Sequence, residues 1–433
     1  IQDIEDDGQY ELSTVGHIGR AVLDFCDRHP DRGVPYSPIA LLLDASRPIG
    51  AAGTTYFGYN LPFDDADHMN CGVIYDLLFP ETRYTRFSGD YFGAAPLGEN
   101  FDIISPNTPA RKAFDRPKLL ANYKVLFGLG GLEMDKAFAA DLEDYVRKGG
   151  VLVVNAEDAQ TLPESFLGVA IGEAAQMSGA VTRLDTGGRF EENAFTARQL
   201  ALRGAETLYA CGGAPVVTRH VVGQGAVIVC APRYLIQNAD VETCSTRLRK
   251  VWRQKPLLKL AEDLMKRLAE DALPVRVSFA GAEPNTTGWR LMKKGDGWVV
   301  SLFNYSLERD LIAETQGTAK VVDSHPPKAV DVTVTCRTPV QDVVEWNEDR
   351  DVNWKTEDGQ AVIREKIRGG QVVVYELQPT PIPPGVVARP MNYALNKPVT
   401  ASSFRPGFEP GLAVDGSRDN DGYWWSDLGK GQG

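Results

Sequence analysis

The stretch YKVLFGLGGLEMDKAFAADLEDYVRKGGVLVVN, residues 123–155, decides the fold. Its first part, Tyr123–Gly130, is a short apolar run ending in glycines, as expected of a strand covered on both faces. Met134, Phe138, Leu142 and Tyr145/Val146 then recur at helical spacing, Arg147-Lys148 suit a helix C-terminus, and Gly149 can close it. Val151–Asn155 is a second apolar run. Strand, helix and strand at this spacing require a crossover connection and a parallel sheet.

Upstream, Ile39-Ala-Leu-Leu-Leu-Asp44 and Phe101–Ser105 read as further strands, with a helix expected near Asp67–Leu78. A helix over Val15–Cys26 precedes them, with Ser13 as N-cap and His29-Pro30 as stop. Beyond residue 168 the helical signal gives way to short strands. Val216–Val222, Gly223-Gln-Gly225 and Ala226–Cys230 read as a terminal hairpin on the same sheet. Leu257, Leu258, Ala261, Leu264, Met265 and Leu268 mark an amphipathic connecting helix that stops before Pro274. From Val275 the period changes to two. Trp289–Lys294 and Trp298–Asn304 flank the Gly295-Asp-Gly297 turn, and strands follow at 330–336, 340–346, 361–367 and 371–377. Those strands make an antiparallel β-sandwich. Pro379-Thr-Pro-Ile-Pro-Pro384 and Pro390 form a semi-rigid spacer.

The chain has 433 residues, 43% hydrophobic and 24% charged, and 46 basic against 58 acidic side chains give a net charge of −12. At ~150 residues per domain this is about three domains of ordinary globular composition. An acidic surface without a basic patch argues against nucleic-acid partners. No apolar run reaches the ~20 residues of a membrane span. The six cysteines, Cys26, Cys71, Cys211, Cys230, Cys244 and Cys336, form no CxxC pair or Cys/His cluster and read as buried thiols.

Candidate chemistry is sparse. Gly128-Leu-Gly130-Gly131 sits at a strand-to-helix turn, but Glu133 occupies the third glycine position of a dinucleotide fingerprint and opposes an anion. The same turn is where a hydrolase or amidotransferase would expose its nucleophile, and it offers only Leu129, Leu132 and Glu133. Cys211, Cys230 and His220 lie in or beside apolar strands. Asp44 ends a strand on the edge where α/β sheets bind ligands. The adjacent carboxylates Asp64-Asp65, Glu191-Glu192 and Glu348-Asp349 read as solvated loops, and Asn285-Thr-Thr287 and Asn304-Tyr-Ser306 match glycosylation sequons.

Asn392-Tyr-Ala-Leu-Asn-Lys-Pro-Val-Thr-Ala-Ser-Ser403, Gly411-Leu-Ala-Val-Asp-Gly416 and Trp424-Trp-Ser426 together resemble the opening of a discoidin-type (coagulation factor type C, galactose-binding-like) carbohydrate-binding module. The resemblance implies an incomplete jelly roll in which Asp415 and Asp419 hold a structural calcium and Trp424 and Trp425 meet a sugar. An acidic insertion, Arg418-Asp-Asn-Asp-Gly422, departs from the family pattern. Tyr123–Gly131, the helix leading to Gly150-Val-Leu-Val-Val154, and Gly223-Gln-Gly-Ala-Val-Ile228 resemble the class I glutamine-amidotransferase-like domain of β-galactosidases. That resemblance implies a flavodoxin-like parallel sheet without its nucleophile, serving packing and homo-oligomer contacts. Tyr10–Ser13, the first helix and His29–Gly33 would then close a (β/α)8 barrel carrying the catalytic glutamates upstream.

The expected fold is therefore α/β plus all-β. The domain plan is 1–33 barrel helix and linker, 34–235 amidotransferase-like domain, 236–274 connecting helix, 275–378 β-sandwich, 379–390 linker, and 391–433 truncated discoidin-type module. The expected function is that of a non-catalytic C-terminal region of an extracellular or periplasmic, bacterial glycoside hydrolase, with carbohydrate as partner and no cofactor for catalysis. Two alternatives stand beside it: a non-enzymatic carbohydrate-binding scaffold, and an α/β domain that is itself a hydrolase using Asp44, Cys211 or Cys230.

Overall fold

The computed structural model describes residues 2–4, 10–12, 14–47, 64–73, 100–107, 115–245, 250–282, 287–304, 309–313, 319–323, 328–347 and 350–379. They belong to two units, Ile1–Arg32 with Pro383–Gly433, and Gly33–Ile382. In the first unit Gln2–Ile4 and Tyr10–Leu12 pair antiparallel, and the helix Thr14–Arg28 follows where the apolar spacing placed it. Arg32 donates to the carbonyls of Cys26 and His29 at 3.1 and 2.9 Å, supplying partners to groups that a helix C-terminus leaves open.

The second unit holds a nine-stranded sheet. Phe101–Ile104, Ile39–Leu42, Val125–Gly128 and Val151–Asn155 lie parallel in that order. Gly225–Cys230 joins parallel to the last of them, and Ala214–Val222, Glu206–Cys211, Val169–Arg183 and Arg189–Leu202 continue antiparallel. Helix Lys136–Arg147 makes the expected crossover. Asp135 caps it by accepting from the Phe138 amide at 2.7 Å, and Phe138, Leu142, Tyr145 and Val146 are buried along one stripe. Each such side chain is worth ~1.5–3 kcal/mol of burial.

The hairpin read as terminal is instead inserted into the sheet. All six residues of Gly225–Cys230 are buried, and a strand covered on both faces belongs beside Val151–Asn155 in the middle. The outer positions go to Val169–Arg183 and Arg189–Leu202, a ribbon far longer than the short strands expected there. Irregular register between Ile171 and Ala174 and between Met177 and Gly179 breaks its ladder. The helix expected at Asp67–Leu78 is observed as Asp65–Gly72, and residues 74–99 lie outside the described set.

Helix Lys259–Ala272 buries Leu260, Ala261, Leu264, Met265, Ala269 and Ala272 in the core of this sheet. Its N-cap is Leu258, whose side chain cannot accept a hydrogen bond, and Glu192 from the ribbon supplies the acceptor, 2.8 Å from the Leu260 amide. The chain then enters the sandwich. One sheet is Val275–Ala280, Val330–Cys336, Gln360–Ile367 and Trp354–Glu357; the other is Arg350–Asp351, Asp342–Glu345, Val372–Gln378, Gly297–Asn304, Thr287–Lys294 and Val34–Pro35. Trp298, Val300, Leu302, Val332, Val334, Ile363, Val373 and Tyr375 form their shared core. Val34–Pro35, assigned by sequence to the α/β domain, pairs with Lys293 and Met292 in the sandwich. The linker at 379–390 and the module at 391–433 lie outside the described residues, apart from Pro379.

Gly225 sits where any Cβ would run into the carbonyls of Val146 and Gly150 at the end of helix Lys136–Arg147. Gly187, at φ +72°, has open space around it. Gly225→Ala is therefore expected to cost more than ~2 kcal/mol and Gly187→Ala about 1 kcal/mol, measured as shifts in urea midpoint; equal losses would contradict the packing described.

Candidate functional site

A parallel sheet gathers its strand C-termini on one edge, and ligands of such sheets bind where the strand order reverses. Here the chain runs from Ile39–Leu42 out to Phe101–Ile104 and back to Val125–Gly128, so that point lies between Ile39–Leu42 and Val125–Gly128. Asp44, Ser46, Asn107 and the Gly130–Glu133 loop meet there. Asp44 is only 2% exposed. One of its oxygens accepts from the Ser46 amide and hydroxyl at 2.8 and 2.6 Å, the other from the Asn107 side chain at 2.6 Å and the Glu133 amide at 2.7 Å. Burial pushes this carboxyl up, and the hydrogen bonds from Ser46, Glu133 and Asn107 outweigh it, leaving Asp44 below the ordinary carboxylate value. An ionised group with four donors on it is a fastening and has no lone pair left for a substrate.

One strand over, Asp158 does the same for the other side of that loop. Its Oδ2 accepts from the amides of Gly131 and Leu132 at 2.8 and 3.1 Å, and its Oδ1 from the Tyr234 hydroxyl at 3.2 Å. Burial dominates, and its pKa rises to about 6. Tyr234 reaches it from a backbone turn in which Tyr234 and Leu235 have φ of 49° and 53°, a conformation rare for residues other than glycine. Arg47 completes the knot. Its Nε donates to the Gly131 carbonyl at 3.1 Å, and its Nη1 reaches Asp64 at 2.8 Å and Asp67 at 3.3 Å, the pair that forms the capping box of helix Asp65–Gly72. Burial raises both carboxyls; the Arg47 and backbone hydrogen bonds bring Asp64 below the ordinary value, and Asp64's charge keeps Asp67 above it. Gly130 is needed because a Cβ there would collide with the Asn70 amide, whose Nδ2 donates to the Gly130 carbonyl at 3.1 Å.

The turn that would carry a nucleophile carries none. Leu129 is 0% exposed and Leu132 is buried, and only Glu133 reaches solvent. Cys230 is fully buried, and burial pushes its thiol far up. Cys211 is buried too, donates to the Ser178 carbonyl at 3.6 Å, and is raised by burial and by the Glu192 charge, the reverse of what an attacking thiolate needs. His220 faces Val227 across the hairpin, three rungs from the Val217–Cys230 pair. Cys336 is buried beside Thr338, Cys26 is half-buried, and the side chains of Cys71 and Cys244 lie outside the described set.

The paired carboxylates come apart as strand and helix geometry requires. Glu191 is exposed and bonds Arg189 at 3.1 Å, while Glu192 is buried on the opposite face capping the helix. Asp64 turns to Arg47, and Asp65 turns to Lys255 and Arg233 at 2.5 and 3.0 Å. Glu348-Asp349 lies outside the described residues, as do Asp415, Asp419, Trp424 and Trp425. Asn304 is buried and donates to the carbonyls of Lys328 and Ile367 at 2.9 and 3.0 Å, so that sequon presents no free amide; Asn285 is outside the described set. Among the described residues no three of His, Cys, Asp and Glu are placed to hold a metal, and no helix is long and apolar enough to cross a membrane.

Sequence reading missed Asp158, and with it the Glu157–Arg198 pair at 2.7 Å and the Glu192 cap. The signal for Asp158 was available, since it lies three residues beyond the strand Val151–Asn155 on the same edge as Asp44. Because the folded Asp158 binds its proton more tightly than an unfolded one, the stabilisation this proton brings is complete below pH ~3.8 and is lost as pH rises through about 6. Asp158→Asn keeps the acceptor for Gly131 and Leu132 but cannot ionise. Urea unfolding between pH 4.5 and 7.5 is expected to show the wild type losing ~2 kcal/mol relative to this variant; parallel curves would refute the assignment.

No family model matches the chain, and no curated protein matches it. Among solved structures it is similar to a β-galactosidase from Bacillus circulans sp. alkalophilus (13% identity, TM-score 0.47, 87% of this chain and 46% of that one). It is also similar to α-L-fucosidase isoenzyme 2 from Paenibacillus thiaminolyticus (14% identity, TM-score 0.49, covering 87% and 54%). A third is a β-galactosidase from the Antarctic haloarchaeon Halorubrum lacusprofundi (16% identity, TM-score 0.41, covering 86% and 44%). All three are glycoside hydrolases, and the chain spans about half the length of each.

Proposed function

We propose that this chain is an accessory, non-catalytic region of a glycoside hydrolase acting on poly- or oligosaccharides. The observation that carries this reading is the filled strand-end edge of the α/β domain. Leu129 is buried at the nucleophile position, and Asp44 and Asp158 on the same edge are taken up by backbone amides of the Gly131–Glu133 loop. A domain of this kind contributes packing surface, and contacts between copies, more readily than turnover. The motifs at 392–426 supply the carbohydrate-directed part of the reading: Trp424 and Trp425 stack on a sugar, and Asp415 and Asp419 give oxygen donors to a structural calcium. Export to the periplasm or cell exterior, where polysaccharide is met, belongs to the same proposal.

The test has two parts. The purified chain is expected to hydrolyse none of a panel of aryl β-galactosides, α-L-fucosides and β-mannosides, and to be retained on insoluble polysaccharide. Trp424→Ala with Trp425→Ala, or chelation of calcium, is expected to lower that retention at least tenfold. Turnover by the chain that Asp44→Asn or Cys211→Ser abolishes would overturn the non-catalytic reading; absence of retention on every polysaccharide would overturn the carbohydrate-directed one.

A further inference from the structure

Where helix Lys259–Ala272 passes into strand Val275–Ala280, a cleft of about 480 Å³ opens between the helix and the edge of the four-stranded sheet. That volume falls within the ~300–1,000 Å³ range of small-molecule sites. Leu273, Val275 and Trp289 make its apolar part. The strand register sets Arg276 opposite Thr335 and Ser278 opposite Thr333, so two hydroxyl-bearing rungs of one sheet face lie side by side. Lys266 and Glu270 reach the cleft from the helix.

Several of these groups have hydrogen-bonding capacity that the protein does not use. The hydroxyls of Ser278, Thr333 and Thr335 and the carboxylate of Glu270 bond to no described side chain or backbone group. The indole N–H of Trp289 is in the same position although the residue is only 7% exposed. The other two buried tryptophans of the sandwich do find acceptors: Trp298 donates to Thr338 at 3.0 Å and Trp346 to Glu376 at 2.9 Å. The Trp289 N–H is not sealed from solvent, so whatever occupies the cleft, water or a ligand, can accept from it.

The charges decide the class of ligand. Lys266 is already paired with Glu262 at 2.5 Å, and Arg276 and Arg337 share Asp271 at 3.1 and 3.9 Å, while Glu270 stands free, so the cations and carboxylates around the cleft balance and favour neither an anion nor a cation. An apolar ligand would strip water from three hydroxyls and an indole N–H and return no hydrogen bond. A neutral ring bearing hydroxyls that both donate and accept, with C–H faces to lay on Val277 and on the exposed edges of Leu273 and the indole, satisfies both halves of the surface. We propose that this cleft is a binding site for a neutral saccharide, separate from the motifs at 392–426.

Methyl-selective NMR of the full chain tests this locally. Lactose, cellobiose and maltose are titrated in turn, with inorganic phosphate as the anionic comparison. The methyl signals of Thr333, Thr335, Leu273 and Val275 are expected to shift and saturate with at least one sugar and to stay in place with phosphate. Thr335→Val keeps the side-chain shape and removes the hydroxyl, and Trp289→Phe removes the N–H; each is expected to weaken binding about tenfold. If Trp289→Phe does not fold, Thr335→Val with Thr333→Val carries the comparison. Methyl signals that no sugar moves, equal shifts with phosphate, or an unchanged Kd in the valine variants would each overturn the proposal. The signals are confined to the cleft and involve no turnover or polysaccharide retention, so failure here is distinguishable from failure of the accessory-hydrolase reading.

Discussion

The loop Gly131–Glu133 presents three successive backbone amides at the centre of the strand-end edge, and the fold of the α/β domain depends on the two carboxylates that receive them. Asp44 arrives from the first strand of the sheet and Asp158 from the fourth, so the acceptors converge from opposite sides. A buried amide without an acceptor costs ~1–3 kcal/mol, and three together would be a large part of a domain's net stability. The side chains that hold this loop are thereby fixed in one arrangement, and Asn107, Ser46, Arg47 and Tyr234 are placed by the same requirement. What in a ligand-binding sheet would be an open crevice is here an internal network.

The two carboxylates reach that end by different electrostatics. Asp44 has four donors and stays ionised despite its burial, whereas Asp158 has three and is pushed to about 6. Burial is the largest cause acting on both carboxyls; at Asp44 the hydrogen bonds together outweigh it, and at Asp158 they do not.

Periodicity made much of this legible in the sequence. The apolar runs at Ile39, Val125 and Val151, the stripe of helix Lys136–Arg147, and the alternation from Val275 onward are all observed where the pattern put them, because each reports burial of one local face. Strand order was not legible. Ala226–Cys230 and a terminal hairpin strand look alike along the chain, and only the pairing with Val151–Asn155 distinguishes them. The candidate site was half legible. Asp44 could be found by its place at a strand end and Ser46 by its nearness, but its other two donors come from Asn107 and Glu133, 63 and 89 residues away, and no local spacing encodes contacts that distant. Glu192 was misread for the same reason: beside Glu191 it looks like a solvated pair, and its role is set by a helix 68 residues further on.

The pairing of Val34–Pro35 with Met292 and Lys293 also orders events during synthesis. One strand of the sandwich leaves the ribosome before the α/β domain, and its neighbours follow roughly 250 residues later. In connectivity the α/β domain is thus an insertion into the sandwich, and the loop that must be closed to seat that edge strand is a folded body in place of a random coil. Once that body has formed, the two distant segments are already near one another, so the entropy of bringing them together is met in advance by the domain between them. A cut at residue 275 would leave the sandwich without this strand, and expressing it alone would test a different sheet from the one found in the chain.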